Sequence, residues 1–169
     1  MSAPPVAPDL PRPVVGFRTW RIANGRLLSP YVPCRWDGPV MTAECRDANR
    51  GLQQGRGWLA APHESPHPDC QCGIYAYHRP GPRTWFGEVW WCEGVITAWG
   101  RIEVHGQGIR AQFARVRALA VPEHGEPHLP AIVRAIAATL GVPVVAPDAL
   151  ATLADELGGT VPHALRPPG

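Results

Sequence analysis

Between His63 and Cys72 the chain reads His-Glu-Ser-Pro-His-Pro-Asp-Cys-Gln-Cys, two histidines and two cysteines in ten residues interrupted by prolines. Proline has no backbone N–H and a fixed φ, so a run with Pro62, Pro66 and Pro68 is neither helix interior nor central strand. It is predicted to be an irregular knot, and Gly73-Ile-Tyr-Ala-Tyr-His78 directly after it reads as a strand. Cys45 lies a short distance upstream.

Zinc in a structural role takes four tetrahedral sulfur or nitrogen ligands, and two ligands close in sequence often share one tight turn. Cys70 and Cys72 supply such a pair, with Gly73 relieving the backbone where it turns. The expectation is that Cys45, Cys70, Cys72 and one of His63 or His67 hold a single Zn²⁺. His67 is nearer the cysteine pair, but Pro66 and Pro68 restrict its return, so His63 is preferred. Three alternatives stay open: an iron–sulfur cluster recruiting Cys34 or Cys92, a Cys–His dyad with a reactive thiolate, or buried thiols beside exposed loop histidines.

With 169 residues, 45% hydrophobic and 18% charged, the chain is long and apolar enough to bury a core. Its net charge of +2 gives no global reason for tight nucleic-acid binding. The N-terminus lacks a charged segment followed by an apolar run, and no stretch reaches the ~18 apolar residues of a membrane span. Five cysteines, odd in number and unevenly spaced, do not form a disulfide framework. A cytoplasmic location without membrane contact is expected.

Residues 1–13, rich in proline, are predicted to be an extended flexible arm. Residues 14–121 are predicted to form a β domain, and residues 122–169 a helical C-terminal appendage and tail. From Val14 to Ile22, Val15, Phe17, Thr19 and Arg21 alternate against Val14, Gly16, Arg18, Trp20 and Ile22, the period of a strand. Asn24-Gly25 is a strong hairpin signal, with Arg26–Ser29 returning. Pro30 to Gly57 resists assignment beyond a short apolar piece, Val40–Cys45, and a loop near Gly51–Gly57. The run from Gly87 to His105 is too long for one ordinary strand, so Gly94 or Gly100 is predicted to mark a bulge or bend. Gly106-Gln-Gly108 is a hairpin loop, and Ile109–Leu119 returns with Ile109, Ala111, Phe113, Arg115 and Arg117 on one face.

After Pro122 the period becomes helical. Leu129, Ile132, Val133, Ile136, Ala137 and Leu140 recur at helix spacing between Pro130 and Gly141, a start and a stop signal. A second helix is predicted over 148–157. The fold class is therefore mainly β (α+β): a small antiparallel barrel or bent sheet, a metal-binding loop and two C-terminal helices.

Adjacent Trp90 and Trp91 face opposite sides of a strand, so one can meet a partner. With Trp99, Arg101, Arg110, Arg115 and Arg117 they make up the predicted binding surface, for a protein or a nucleic acid. Glu88, Glu93 and Glu103 on the paired strands are placed to neutralise part of that charge. There is no glycine-rich phosphate loop, serine nucleophile elbow or paired-carboxylate motif, so the expected role is a non-catalytic binding or interaction module.

Gly16-Phe-Arg-Thr-Trp20, Leu28-Ser-Pro30, Cys70-Gln-Cys-Gly-Ile-Tyr-Ala76, Gly87-Glu-Val89 and Trp99-Gly-Arg-Ile-Glu-Val-His105 with Gly108-Ile-Arg-Ala111 carry a resemblance over residues 14 to 121. There the chain resembles a family of small uncharacterised proteins from actinobacteria and their phages. That resemblance implies a source and no activity. In strand order alone the chain is also similar to PUA-like or ASCH-type barrels, which implies RNA or nucleotide binding as an alternative, beside a Cys/His-dependent enzyme.

Overall fold

A computed structural model describes residues 13–30, 32, 34–45, 63–81, 91–122 and 126–168. The predicted arm up to residue 12, the predicted loop at 51–57, and the predicted start of the long strand at 87–90, Trp90 included, lie outside the described residues.

The first strand, β1 (Val14–Ala23), turns through Asn24 and Gly25 into β2 (Arg26–Leu28), with Ala23 paired to Arg26. Both turn residues have positive φ, 51° and 68°, the combination that makes Asn-Gly the favoured two-residue hairpin turn. Then come β3 (Arg35–Trp36), β4 (Val40–Thr42), β5 (Ile74–Tyr77), β6 (Trp91–Val104) and β7 (Gly108–Ala120). Helix α1 (Leu129–Leu140), strand β8 (Val144–Val145) and helix α2 (Ala149–Glu156) complete the fold, with a short 3₁₀ turn at His163–Leu165.

All eight strands belong to one sheet. Within it β1, β6, β7 and β5 close into a ring of four: β1 pairs β6, β6 pairs β7, β7 pairs β5, and β5 returns to β1 through Phe17 and Tyr77. That closure is tight. A Cβ on Gly16 would lie 2.7 Å from the Cβ of Ala76, and one on Gly108 would strike the Ala76 carbonyl oxygen, so β5 fits between its neighbours because both contacts are glycines. The expected mainly β fold with two C-terminal helices is present. Strands β1 to β7 pair antiparallel, whereas β8 runs parallel to β7, which makes the whole sheet mixed.

The long strand β6 bends where the ladder slips. One slip falls at Val95/Ile96 beside Gly94, and the other between Trp99 and Ile102 at Gly100, whose φ is +78°. The second bulge sets two residues, Gly100 and Arg101, against the single residue Gln112. It also ends the simple alternation expected of β7: Ile109 and Ala111 are buried, but Arg115 and Arg117 are exposed.

Both faces of β1 are covered. Val14, Trp20 and Ile22 join a core with Ile96, Val116, Leu119 and α1, while Val15 and Phe17 pack with Val95, Ala120 and the Leu150 and Ala154 side chains of α2. Helix α1 buries Leu129, Val133, Ile136, Ala137 and Leu140 and ends at Gly141 in a left-handed cap. Each of its larger apolar side chains contributes about 1.5–3 kcal/mol on burial. The helices thus complete the core of the strands. Among the described residues no helix is long and apolar enough to cross a membrane.

Candidate metal centre

The proline-interrupted segment folds into a loop between β4 and β5. Ala43 N–H donates to the Gln112 carbonyl, which fixes the chain two residues before Cys45. At the other end Cys70 N–H donates to the His67 carbonyl at 3.0 Å, forming the turn that sets Cys70 and Cys72 ahead of β5. The ligand-capable atoms of Cys45, His63, Cys70 and Cys72 all lie within 4.8 Å of one another.

Their spacing can be compared with a tetrahedron. With Zn–S near 2.3 Å and Zn–N near 2.0 Å, the edges are about 3.8 Å for S···S and about 3.5 Å for S···N. Cys45 Sγ lies 3.7 Å from Cys70 Sγ, and Cys72 Sγ lies 3.4 Å from His63 Nε2. The donor set and these two edges fit a four-coordinate metal such as zinc. No disulfide joins the five cysteines. Burial pushes the Cys72 thiol up, with the Ser65 hydroxyl and the His67 backbone pulling it down. A divalent cation at the thiolate overrides that preference for the protonated form.

Of the two candidate histidines, the structure brings His63 into the group and leaves His67 outside it. His67 Nδ1 accepts from the Asp69 N–H at 3.2 Å, and its ring meets the His63 ring edge-on at 5.1 Å. Its backbone carbonyl is engaged twice, by Cys70 N–H and by Arg110 Nη2 at 3.2 Å.

Arg110 is the support of the loop. It reaches from β7 to donate to the Cys70 and His67 carbonyls and to the Glu103 carboxylate on β6. Both members of the ion pair are buried, at 5% and 4% exposure, and the hairpin register sets them directly opposite. Gly73, at φ +133°, passes against the Arg110 stem, where a Cβ would collide with Arg110 Cγ. A second arginine grips the loop from outside: Arg101 Nη1 donates to the Pro66 carbonyl and Nη2 pairs with Glu64, both at 3.2 Å.

The residues expected to form one binding surface are therefore dispersed. Arg110 is buried beneath the loop rather than exposed, because Glu103 and two carbonyls compensate its charge inside the fold. Arg101 is spent on the loop backbone. Arg115 and Arg117 are exposed, Trp91 is half-buried opposite Arg21, and half-buried Trp99 stacks on Phe113 at 5.8 Å. Trp90 lies outside the described residues. The sequence signal for the Arg110–Glu103 strut was the hairpin at Gly106–Gly108, which sets the two residues opposite each other. No such signal marks the carbonyls that accept from Arg110.

Comparison with family models, with curated proteins and with solved structures returns no match to this chain.

Proposed function

We propose that this chain is a non-catalytic binding module whose β4–β5 loop is clasped by a single structural Zn²⁺ on Cys45, His63, Cys70 and Cys72. One observation carries the reading: four protein donors, three of sulfur and one of nitrogen, already lie within 4.8 Å of one another. A catalytic zinc keeps a position open for water or substrate, and a set of four protein ligands fills it. Bound metal supplies cross-linking here, joining the end of β4 to the turn before β5. The cytoplasm, where thiols stay reduced, suits three thiolate ligands. The resemblance to the small actinobacterial and actinophage proteins is compatible with a module of this kind.

Purified protein should carry one equivalent of zinc by elemental analysis, and Co²⁺ in its place should give the visible bands of a tetrahedral thiolate site. A metal-free preparation that also fails to develop those bands refutes the site, and a spectrum with exchangeable water at the metal would move the assignment to catalysis. Alkylation offers an independent check. In the zinc-loaded protein, iodoacetamide should modify half-exposed Cys34 first. Cys92 should stay unmodified, since it is fully buried and burial pushes its thiol far above the ordinary range. Chelation should expose Cys45, the half-buried member of the group, to labelling, whereas buried Cys70 and Cys72 should follow only as the unclasped loop opens; mass spectrometry showing the same labelling of Cys45 with and without chelator would contradict the metal.

A further inference from the structure

On the opposite edge of β1 from β6 the core contains a cation. Arg18 is 7% exposed, and its guanidinium carbon lies 5.8 Å from the Trp20 ring centroid and 5.3 Å from that of Trp36. The two indoles, themselves 0% and 3% exposed, meet edge-on at 5.4 Å. Arg18 Nη1 donates to the Tyr75 carbonyl and Nη2 to Ser29 Oγ at 2.9 Å, both uncharged acceptors. No carboxylate pairs with Arg18 among the described residues. Burial lowers its pKa to about 10, and the neighbours that pull it back up are a thiol, Cys34, and a phenol, Tyr77.

Two features are anomalous for a purely structural core. The first is charge: cation–π contact is worth about 0.5–2 kcal/mol, whereas desolvating an ion costs several kcal/mol even after relaxation. The aromatic walls therefore do not offset the burial. The second is hydrogen bonding. Arg18 Nε, Trp20 Nε1 and Trp36 Nε1 are all buried with no partner among the described residues. These three groups are donors only, so each is satisfied by an acceptor and by nothing else. Most buried polar groups in folded proteins have a partner, which makes three orphan donors around one uncompensated cation a grouping that asks for an acceptor with negative charge.

We propose that Arg18, Trp20 and Trp36, with Ser29, form a buried receptor for a small oxyanion, the carboxylate or phosphate group of a ligand. An oxyanion offers several lone pairs to donors of this kind and neutralises the guanidinium. Trp36 is carried by β3, two residues at the end of the sheet, so the site lies near an edge. The site shares no residue with the metal centre and goes beyond the role proposed for it: it names the chemical class that this module binds.

The test is a titration of the zinc-loaded full chain with inorganic phosphate and, separately, with acetate at fixed ionic strength, followed by indole N–H resonances. Trp20→Phe and Trp36→Phe assign the two relevant peaks. Both should move downfield and saturate with at least one of the probes, and the stronger probe identifies which group the site takes. Arg18→Met should weaken binding by about 10- to 100-fold, the equivalent of one charge-assisted hydrogen bond lost. If that variant does not fold, Arg18→Lys decides: it keeps the charge but not the Nε donor, and should bind at least about fivefold more weakly, a fraction of that same bond. Indole peaks unmoved by either anion at tens of millimolar, or equal affinity in the arginine variant that folds, would overturn the proposal and leave ordered water as the acceptor.

Discussion

Chelating the metal should lower the melting temperature by roughly 8–16 °C without unfolding the protein at room temperature. A ligand present at a thousandfold its dissociation constant contributes about 4 kcal/mol to the native state, and each kcal/mol shifts Tm by about 2–4 °C in a chain of this size. The protein survives because its largest buried side chains, Trp20, Leu27, Ile96, Leu119 and Leu150 among them, belong to the ring, the outer strands and the helices, away from the clasp. Small zinc fingers, with no such core, unfold outright. Cys72→Ser should reproduce the chelator's effect, and chelator should add little to the variant, since both remove the same cross-link. Calorimetry on wild type and variant checks this. A Tm indifferent to chelator in zinc-loaded wild type would mean that the four side chains are neighbours without a metal.

The second large effect is expected at Arg110, outside the ligand set. Arg110→Met leaves the Glu103 carboxylate buried without its cation and removes the donor from the Cys70 and His67 carbonyls. Removing one partner of a buried ion pair costs about 3–5 kcal/mol, here a fall in Tm of about 6–20 °C. Glu103 Oε1 has no partner among the described residues, so the pair is incompletely satisfied there. For that reason Arg110→Met with Glu103→Leu should recover most of the lost stability. It should not recover the loop: competition against a chromophoric chelator should show metal affinity still reduced, by about tenfold or more, the scale reported for losing support around a metal site. Arg101→Ala, at a pair open to solvent, should change stability by under about 1 kcal/mol. Full metal affinity in the double variant would show that Arg110 carries stability only.

What was legible in the residue order was whatever local chemistry dictates. Asn24-Gly25 specifies its own turn, Pro130 and Gly141 bracket a helix that needs no distant partner for its limits, and the alternation of Val14 to Ile22 marks a strand whichever strands it joins. The cysteines and histidines around the prolines marked, by type and spacing, a group that could hold a metal, and the restriction that Pro66 and Pro68 place on His67 pointed to His63 as the histidine beside the cysteines. Strand β3 was not legible, because two residues between prolines have no period of their own and become a strand only by pairing with β2.

The sequence by itself thus determined element type, the main turns and the identity of the residues that gather at the loop. Only the tertiary structure decided which arginines face water. Arg101, Arg110, Arg115 and Arg117 look alike along the chain, but the bulge at Gly100 and the register opposite Glu103 direct two of them to the loop backbone, and of the four only Arg110 is buried. The same holds for Arg18, one of five residues of a strand face. Its burial beside Trp20 and Trp36 depends on β3 pairing along the edge of β2, a contact between segments whose order in sequence carries no trace of it. Local propensity acts over a few residues, whereas the cost of burying a charge or the match of four ligands is set by whatever the closed sheet brings alongside.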